Sequence, residues 1–222
     1  MPELPAIGVD GPKGVGKTAT GLQRATTVLS LDDPVALSLV RADPARALGR
    51  PTPILVDEWQ RAPEVWDQVR RAVDDGAAAS SFLLTGSATP ALGATTHSGA
   101  GRIVSLRMRP MALPERGLAE PTVSLASLLE GRHPRVQGDC SLTLADYAHE
   151  IEASGFPGIR TLSPRARRTQ LDSYLTRALS RDLTDEQGVT VRRPDSLRAW
   201  ITAYATATAS TAAWETIRTA AS

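Results

Sequence analysis

The only two lysines of the chain, Lys13 and Lys17, fall in one short stretch, Gly11-Pro12-Lys13-Gly14-Val15-Gly16-Lys17-Thr18. This stretch fits the phosphate-loop pattern G-x-x-x-x-G-K-[ST] at every fixed position. A glycine-rich turn lets successive backbone N–H groups converge on phosphate oxygens, and a helix opening at Gly16 adds its positive dipole end. Lys17 is placed to reach the β and γ phosphates of a nucleoside triphosphate, and Thr18 to offer its hydroxyl to Mg²⁺. Asp57-Glu58 is the second candidate. One carboxylate at the end of a central strand can hold the metal through its water shell, and its neighbour can orient or deprotonate an attacking water. Asp57 takes the metal role and Glu58 the base. Alone, such a pair also reads as a solvated strand end or helix cap; after a complete phosphate loop the chemical reading prevails.

Two further positions are weaker. Thr85 or Ser87, in Thr85-Gly86-Ser87-Ala88, could sense the γ-phosphate and steady the water, while a plain turn leaving the sheet explains the same residues. Arg102 could point from one subunit into the nucleotide of the next and stabilise transition-state charge; a surface ion pair is its alternative. The second subunit makes a homo-oligomer part of that expectation. His97, His133 and His149 lack metal-ligand spacing.

These residues need a strand, a loop and a helix in that order, and the flanking pattern supplies them. Ala6-Ile7-Gly8-Val9 is strand-like, and a helix follows from Thr18 to Ala25. Thr26 to Leu31 reads as the next strand and ends at Asp32-Asp33-Pro34, a helix start. A second start at Asp43-Pro44 and a stop at Gly49 give a broken helical stretch. Pro53 to Val56 is a strand running into Asp57-Glu58. Val65, Trp66, Val69, Ala72 and Val73 form the apolar stripe of an amphipathic helix. Ser81 to Thr85 and Arg102 to Met108 complete about five strands. Strands alternating with helices predict an α/β fold with a parallel sheet flanked by helices. The nucleotide-binding domain is expected over 1–112 and an irregular, proline-marked connection over 113–142. A smaller all-helical region should fill 143–222. Its helices carry the stripes Leu144/Tyr147/Ala148/Ile151 after a Thr143 cap, Leu171/Tyr174/Leu175/Ala178/Leu179, Leu197/Trp200/Ile201/Tyr204 from Asp195, and Trp214/Ile217.

Composition sets outer bounds. With 222 residues the chain can bury a real core without staples, and its single cysteine, Cys140, excludes an internal disulfide or a cysteine metal cluster. Cys140 reads as an ordinary buried or half-exposed thiol. The start, Met1-Pro2-Glu3-Leu4-Pro5, is unlike a signal peptide, and no apolar run has the length of a membrane span, so a cytoplasmic location is expected. A net charge of +1 gives no general pull toward nucleic acid. Arginine clusters at Arg107/Arg109, Arg165/Arg167/Arg168 and Arg192/Arg193 leave nucleic acid possible but unsupported, since clusters of this kind are usually solvated faces.

The ordered set of segments Gly11 to Thr18, Leu31-Asp32-Asp33-Pro34, Val56-Asp57-Glu58-Trp59-Gln60, Leu84-Thr85-Gly86-Ser87, Gly101-Arg102-Ile103 and Arg109-Pro110-Met111 resembles a prokaryotic family of AAA-type ATPases with a C-terminal domain of unknown function. Gly155-Phe156-Pro157, Tyr174-Leu175, Arg181-Asp182 and Ala203-Tyr204-Ala205 look like the start of that family's second region. The resemblance implies a P-loop NTPase core with an extra strand between the phosphate-loop strand and the Asp-Glu strand, and ATP as the ligand. It also implies a longer C-terminal domain than the one here, so a truncated second region is expected, with an unidentified protein partner. Three functions follow: Mg²⁺-dependent ATP hydrolysis first, a truncated non-hydrolysing nucleotide-binding module second, and a P-loop small-molecule kinase third. Asp32-Asp33 keeps the third open as a substrate-binding acid.

Overall fold

A computed structural model describes residues 3–86, 99–118, 120–135, 137–183 and 190–221. Five strands form one sheet: β1 (Ala6–Asp10), β2 (Thr27–Ser30), β3 (Ile54–Asp57), β4 (Phe82–Thr85) and β5 (Ile103–Arg107). Their order is β2-β3-β4-β1-β5, every pair parallel. β4 is thus the extra strand between β1 and β3. Side-by-side register aligns the carboxyl ends, pairing Ser30 with Asp57, Asp57 with Thr85 and Thr85 with Val9. Crossover helices keep parallel strands together, and here they are α1 (Lys17–Leu22), α2 (Pro34–Ala42), α3 (Pro44–Leu48) and α4 (Glu64–Asp74).

One face of the sheet carries the main core. Leu29, Ile54, Val56 and Leu84 meet Val40 of α2 and Val65 and Val69 of α4 there, all nearly or fully removed from solvent. Trp66 lies against the Trp59 ring, centroids 4.7 Å apart, and touches the space beside Gly8. Asp33 and Asp43 start α2 and α3 as predicted, each carboxylate accepting a backbone N–H of its helix's first turn. Asp33 is therefore committed to a cap. The other face is covered by α1 only in part, which leaves an open apolar cleft of about 890 Å³ lined by Ile7, Val9, Leu83 and Leu106.

Beyond β5 the regular elements among the described residues are helices, and the expected helical region follows the connection: a 3₁₀ turn (Leu113–Arg116), α5 (Leu125–Leu129), α6 (Leu144–Ala153), α7 (Pro157–Arg160), α8 (Pro164–Arg177) with a π-helical continuation at Ala178–Asp182, α9 (Pro194–Thr206) and α10 (Trp214–Ala220). α5 falls inside the stretch expected to be irregular. The predicted α6 stripe does not become the buried face: Leu144 and Ile151 are exposed, and Glu150 and Ala153 are buried instead. Charge pairing overrides the apolar pattern here. Glu150 accepts from Arg116 Nη1 at 2.8 Å and from Arg160 Nη1 at 3.0 Å, while Arg116 also donates to the Met111 and Glu150 carbonyls. Of the Arg165/Arg167/Arg168 cluster, Arg167 is buried, so the three do not share a solvated face. Cys140 is exposed, with its sulfur 3.5 Å from the Tyr147 hydroxyl.

The Arg116–Glu150–Arg160 knot is a testable joint between the sheet domain and the helical region. Hydrogen bonding from Arg116, then from Arg160, holds the Glu150 carboxyl below its ordinary value of 4.5. Its stabilisation is therefore fully present above the unfolded carboxylate range and is lost as pH falls through the lowered folded value. Glu150→Gln should cost about 3 kcal/mol at pH 7, because it leaves two guanidinium groups short of a partner. Thermal melts should show that difference shrinking as pH falls below about 4.5.

Candidate functional site

The loop Gly11–Gly16 leaves the carboxyl end of β1 and turns into α1, with positive φ at Gly11 (146°), Gly14 (78°) and Gly16 (104°). At Gly11 a side chain has no room: a Cβ would stand 2.2 Å from the Met108 carbonyl oxygen. The loop needs glycine for conformation and for close approach at once. Gly16 is the N-cap of α1, so the helix starts at Lys17. Lys17 is buried and its ammonium donates to the Gly11 and Pro12 carbonyls at 2.8 and 2.9 Å. The ammonium thus lies along the loop's own rim.

Opposite the loop stands Asp57, buried at the end of β3. Thr18 Oγ1 donates to its two carboxylate oxygens at 3.1 and 3.0 Å, and Thr85 Oγ1 donates to Oδ1 at 2.5 Å. Thr85 is fully buried. Its hydroxyl is hydrogen-bonded to Asp57, beside the place where phosphate sensing is expected of it. Strand order explains the contact, because β4 lies directly beside β3 in register Asp57 to Thr85. A hydroxyl and a carboxylate facing each other are hard oxygen donors, and this set suits Mg²⁺, which takes few protein ligands and keeps waters and phosphate oxygens. Among the described residues no cluster of three or more His, Cys, Asp or Glu offers an all-protein cage.

Glu58 follows in the left-handed region, φ 56° and ψ 41°, an uncommon setting for a non-glycine residue. That twist turns the chain out of β3 into the 3₁₀ turn Trp59–Arg61. Gln60 Nε2 donates to Glu58 Oε2 at 2.5 Å. Burial pushes the Glu58 carboxyl above its ordinary 4.5, and the negative charge of Asp57 adds to this, while the Gln60 hydrogen bond and the two loop lysines pull the other way. A half-buried carboxylate so held can accept a proton from water.

The remaining predicted positions separate. Ser87 lies outside the described residues. Arg102 precedes the amino end of β5, whereas the phosphate loop leaves the carboxyl end of the adjacent, parallel β1, so the two lie at opposite ends of the strands. Arg102 Nε donates to Asp74 at 2.8 Å, the surface ion pair that was its alternative reading. Lys13 forms an ion pair with Asp182 at 2.9 Å. That contact was not foreseen. It brings the end of the α8 continuation onto the phosphate loop, where Phe156 also packs, 3.9 Å from the position a Gly14 Cβ would take. Phe156 is in turn against Tyr174, ring centroids 4.9 Å apart. Phe156, Asp182 and Gln60 all lie in segments that carried the resemblance, but nothing in their local spacing marks them as neighbours of the loop.

Among curated proteins there is no match to this chain. A family model described as AAA domain matches residues 4–116, just over half of the chain, from the residues before β1 to the arginine that grips Glu150. The match spans the whole sheet, the loop Gly11–Thr18 and the Asp57-Glu58 turn, and it ends before the helical region. The chain therefore belongs to the AAA domain family, with the nucleotide-binding, ATPase-like function that membership carries.

Proposed function

We propose that this chain binds ATP through the loop Gly11–Thr18 and hydrolyses it with Mg²⁺. One observation carries the reading: Thr18 of the loop and Asp57 of β3 already face each other at 3.0 and 3.1 Å, with Glu58 next in sequence. Gly11, Pro12, Lys13, Gly14, Val15, Gly16, Lys17 and Thr18 would wrap the phosphates through the backbone N–H groups of all but Pro12, whose ring nitrogen has none, and Lys17 would exchange its two carbonyl partners for phosphate oxygens. Thr18 and Asp57 would hold the ion, which when bound neutralises charge building on the β- and γ-phosphate oxygens. Thr85 keeps Asp57 in its rotamer. Glu58 orients a water and takes its proton as the water oxygen bonds to the γ-phosphorus and ADP departs with the bridging electron pair. Ser87 would help to hold that same water. Arg102 is assigned to the nucleotide of a neighbouring copy in a homo-oligomer, a role that requires it to leave Asp74.

The core would be 1–112, the connection 113–142 and the helical region 143–222, in a cytoplasmic protein. Among the described residues no helix is long and apolar enough to cross a membrane. A second reading has its own support. The Lys13–Asp182 ion pair and Phe156 beside Gly14 put the helical region on the loop itself, which suits a binding module whose nucleotide state is read by the helices and a partner protein.

Phosphate release decides between them. With Mg²⁺ the purified chain should release phosphate from ATP, and excess EDTA should stop release while leaving the melting temperature without nucleotide unchanged. Mg-ATP at a hundredfold excess over its dissociation constant should add about 2.7 kcal/mol of apparent stability. Stabilisation with no phosphate release would select the binding module; phosphate passed to a metabolite would select the kinase.

A further inference from the structure

Two unfavourable features sit side by side in the turn after β3. Glu58 holds a left-handed backbone conformation that non-glycine residues rarely adopt. Two residues on, the Gln60 side-chain carbonyl oxygen is buried with no hydrogen-bond partner among the described residues. Native structures seldom leave such an oxygen unmet, and strain of this kind collects where a side chain must be aimed. The other end of the same amide donates to Glu58 Oε2 at 2.5 Å. The amide cannot turn over without setting its carbonyl oxygen against the carboxylate. Its orphaned oxygen is pressed toward Gly86, where a Cβ would come within 2.5 Å of it and within 3.1 Å of Trp59 Nε1. Trp59, only 5 % exposed, is wedged into the core and anchors the turn from below.

We propose that Gln60 is a positioning residue for ATP hydrolysis: clamped between Glu58 and Gly86, it engages Glu58 Oε2 and leaves Glu58 Oε1 to the attacking water. This rests on the reading of Glu58 as the residue that orients that water. The chemistry is unchanged by it. Gln60 neither gains nor loses a proton, and its task is to restrict the carboxylate to one rotamer before the substrate arrives, because a misplacement on the order of 1 Å can cost roughly a hundredfold in rate.

The test is steady-state phosphate release from Mg-ATP by the full chain, with ATP affinity and melting temperature measured on the same samples. Gln60→Ala should lower kcat roughly ten- to hundredfold with KM and Kd for ATP within about twofold of the parent. Gln60→Glu, the same shape with a repelling charge toward Glu58, should do the same and serves if the alanine variant fails to fold. Combined with Glu58→Gln, neither change should slow turnover further, since both act through one group. A kcat near the parent's in Gln60→Glu overturns the inference, as does an equal further loss in the Glu58→Gln background. Full turnover in Glu58→Gln alone would instead remove the reading on which it rests.

Discussion

Lys17→Ala should abolish measurable ATP binding while leaving a folded chain. The Lys17 ammonium is a full positive charge buried at the loop rim, and in the proposed complex it would make charge-assisted bonds to the β and γ phosphates. Hydrogen bonds to charged groups contribute about 1.5–3 kcal/mol each, so losing the pair costs about 3–6 kcal/mol and weakens affinity roughly a hundred- to ten-thousandfold. No nearby residue substitutes. Lys13, the other lysine, is held by Asp182 and its side chain is 46% exposed. Without nucleotide the effect is smaller, because the ammonium then ties the neutral carbonyls of Gly11 and Pro12 and not charged phosphates, and the melting curve should fall by about 1–2 kcal/mol. Titration calorimetry and a nucleotide-dependent melt measure both quantities. Equal affinity in the variant and the parent would leave the loop as an ordinary turn.

Glu58→Gln should separate binding from turnover. The glutamine keeps the size and the left-handed backbone of the glutamate and removes only its ability to take a proton, for which general-base catalysis is commonly worth about 10²–10⁴ in rate. A drop of that size in kcat is expected, with ATP affinity unchanged or slightly tighter, since a negative charge beside Asp57 has gone. Burial supports the assignment. It raises the Glu58 carboxyl toward the pH at which a base exchanges protons readily, whereas a fully solvated carboxylate is a weaker base. Phosphate release at the parent rate by Glu58→Gln would take hydrolysis away from this residue.

Both variants also bear on the helical region. Asp182 and Phe156 meet the loop from outside the matched domain, so a ligand that moved Lys13 or Gly14 would disturb contacts with the helical region. The Arg116–Glu150–Arg160 knot joins the same two parts at a second point. A nucleotide effect on proteolysis of the helical region is the natural companion measurement to the two melts.

Local pattern carried much of the chemistry. The loop Gly11–Thr18 was legible because its glycines and Lys17 obey a backbone requirement that fits in eight consecutive residues, and Asp57-Glu58 because an apolar run ended in two acids. The five strands and the α4 stripe were legible for the same reason: short apolar, β-branched runs bounded by turn residues mark buried strands, and 3.6-residue spacing records which face a helix hides. The resemblance, not the spacing, supplied the extra strand, and β4 indeed lies between β1 and β3. Only the tertiary structure decided that Thr85 hydrogen-bonds to Asp57, that Arg102 stands at the amino ends of the strands, that α6 buries Glu150 in place of Leu144 and Ile151, and that Phe156 and Asp182 reach the phosphate loop. Each of these depends on strand register or on a pairing between residues far apart in the chain. A sequence window reports the conformation of its own residues; which charges and hydroxyls meet is settled by the lowest free energy of the whole packed chain, where one buried carboxylate with two arginines outweighs an apolar stripe.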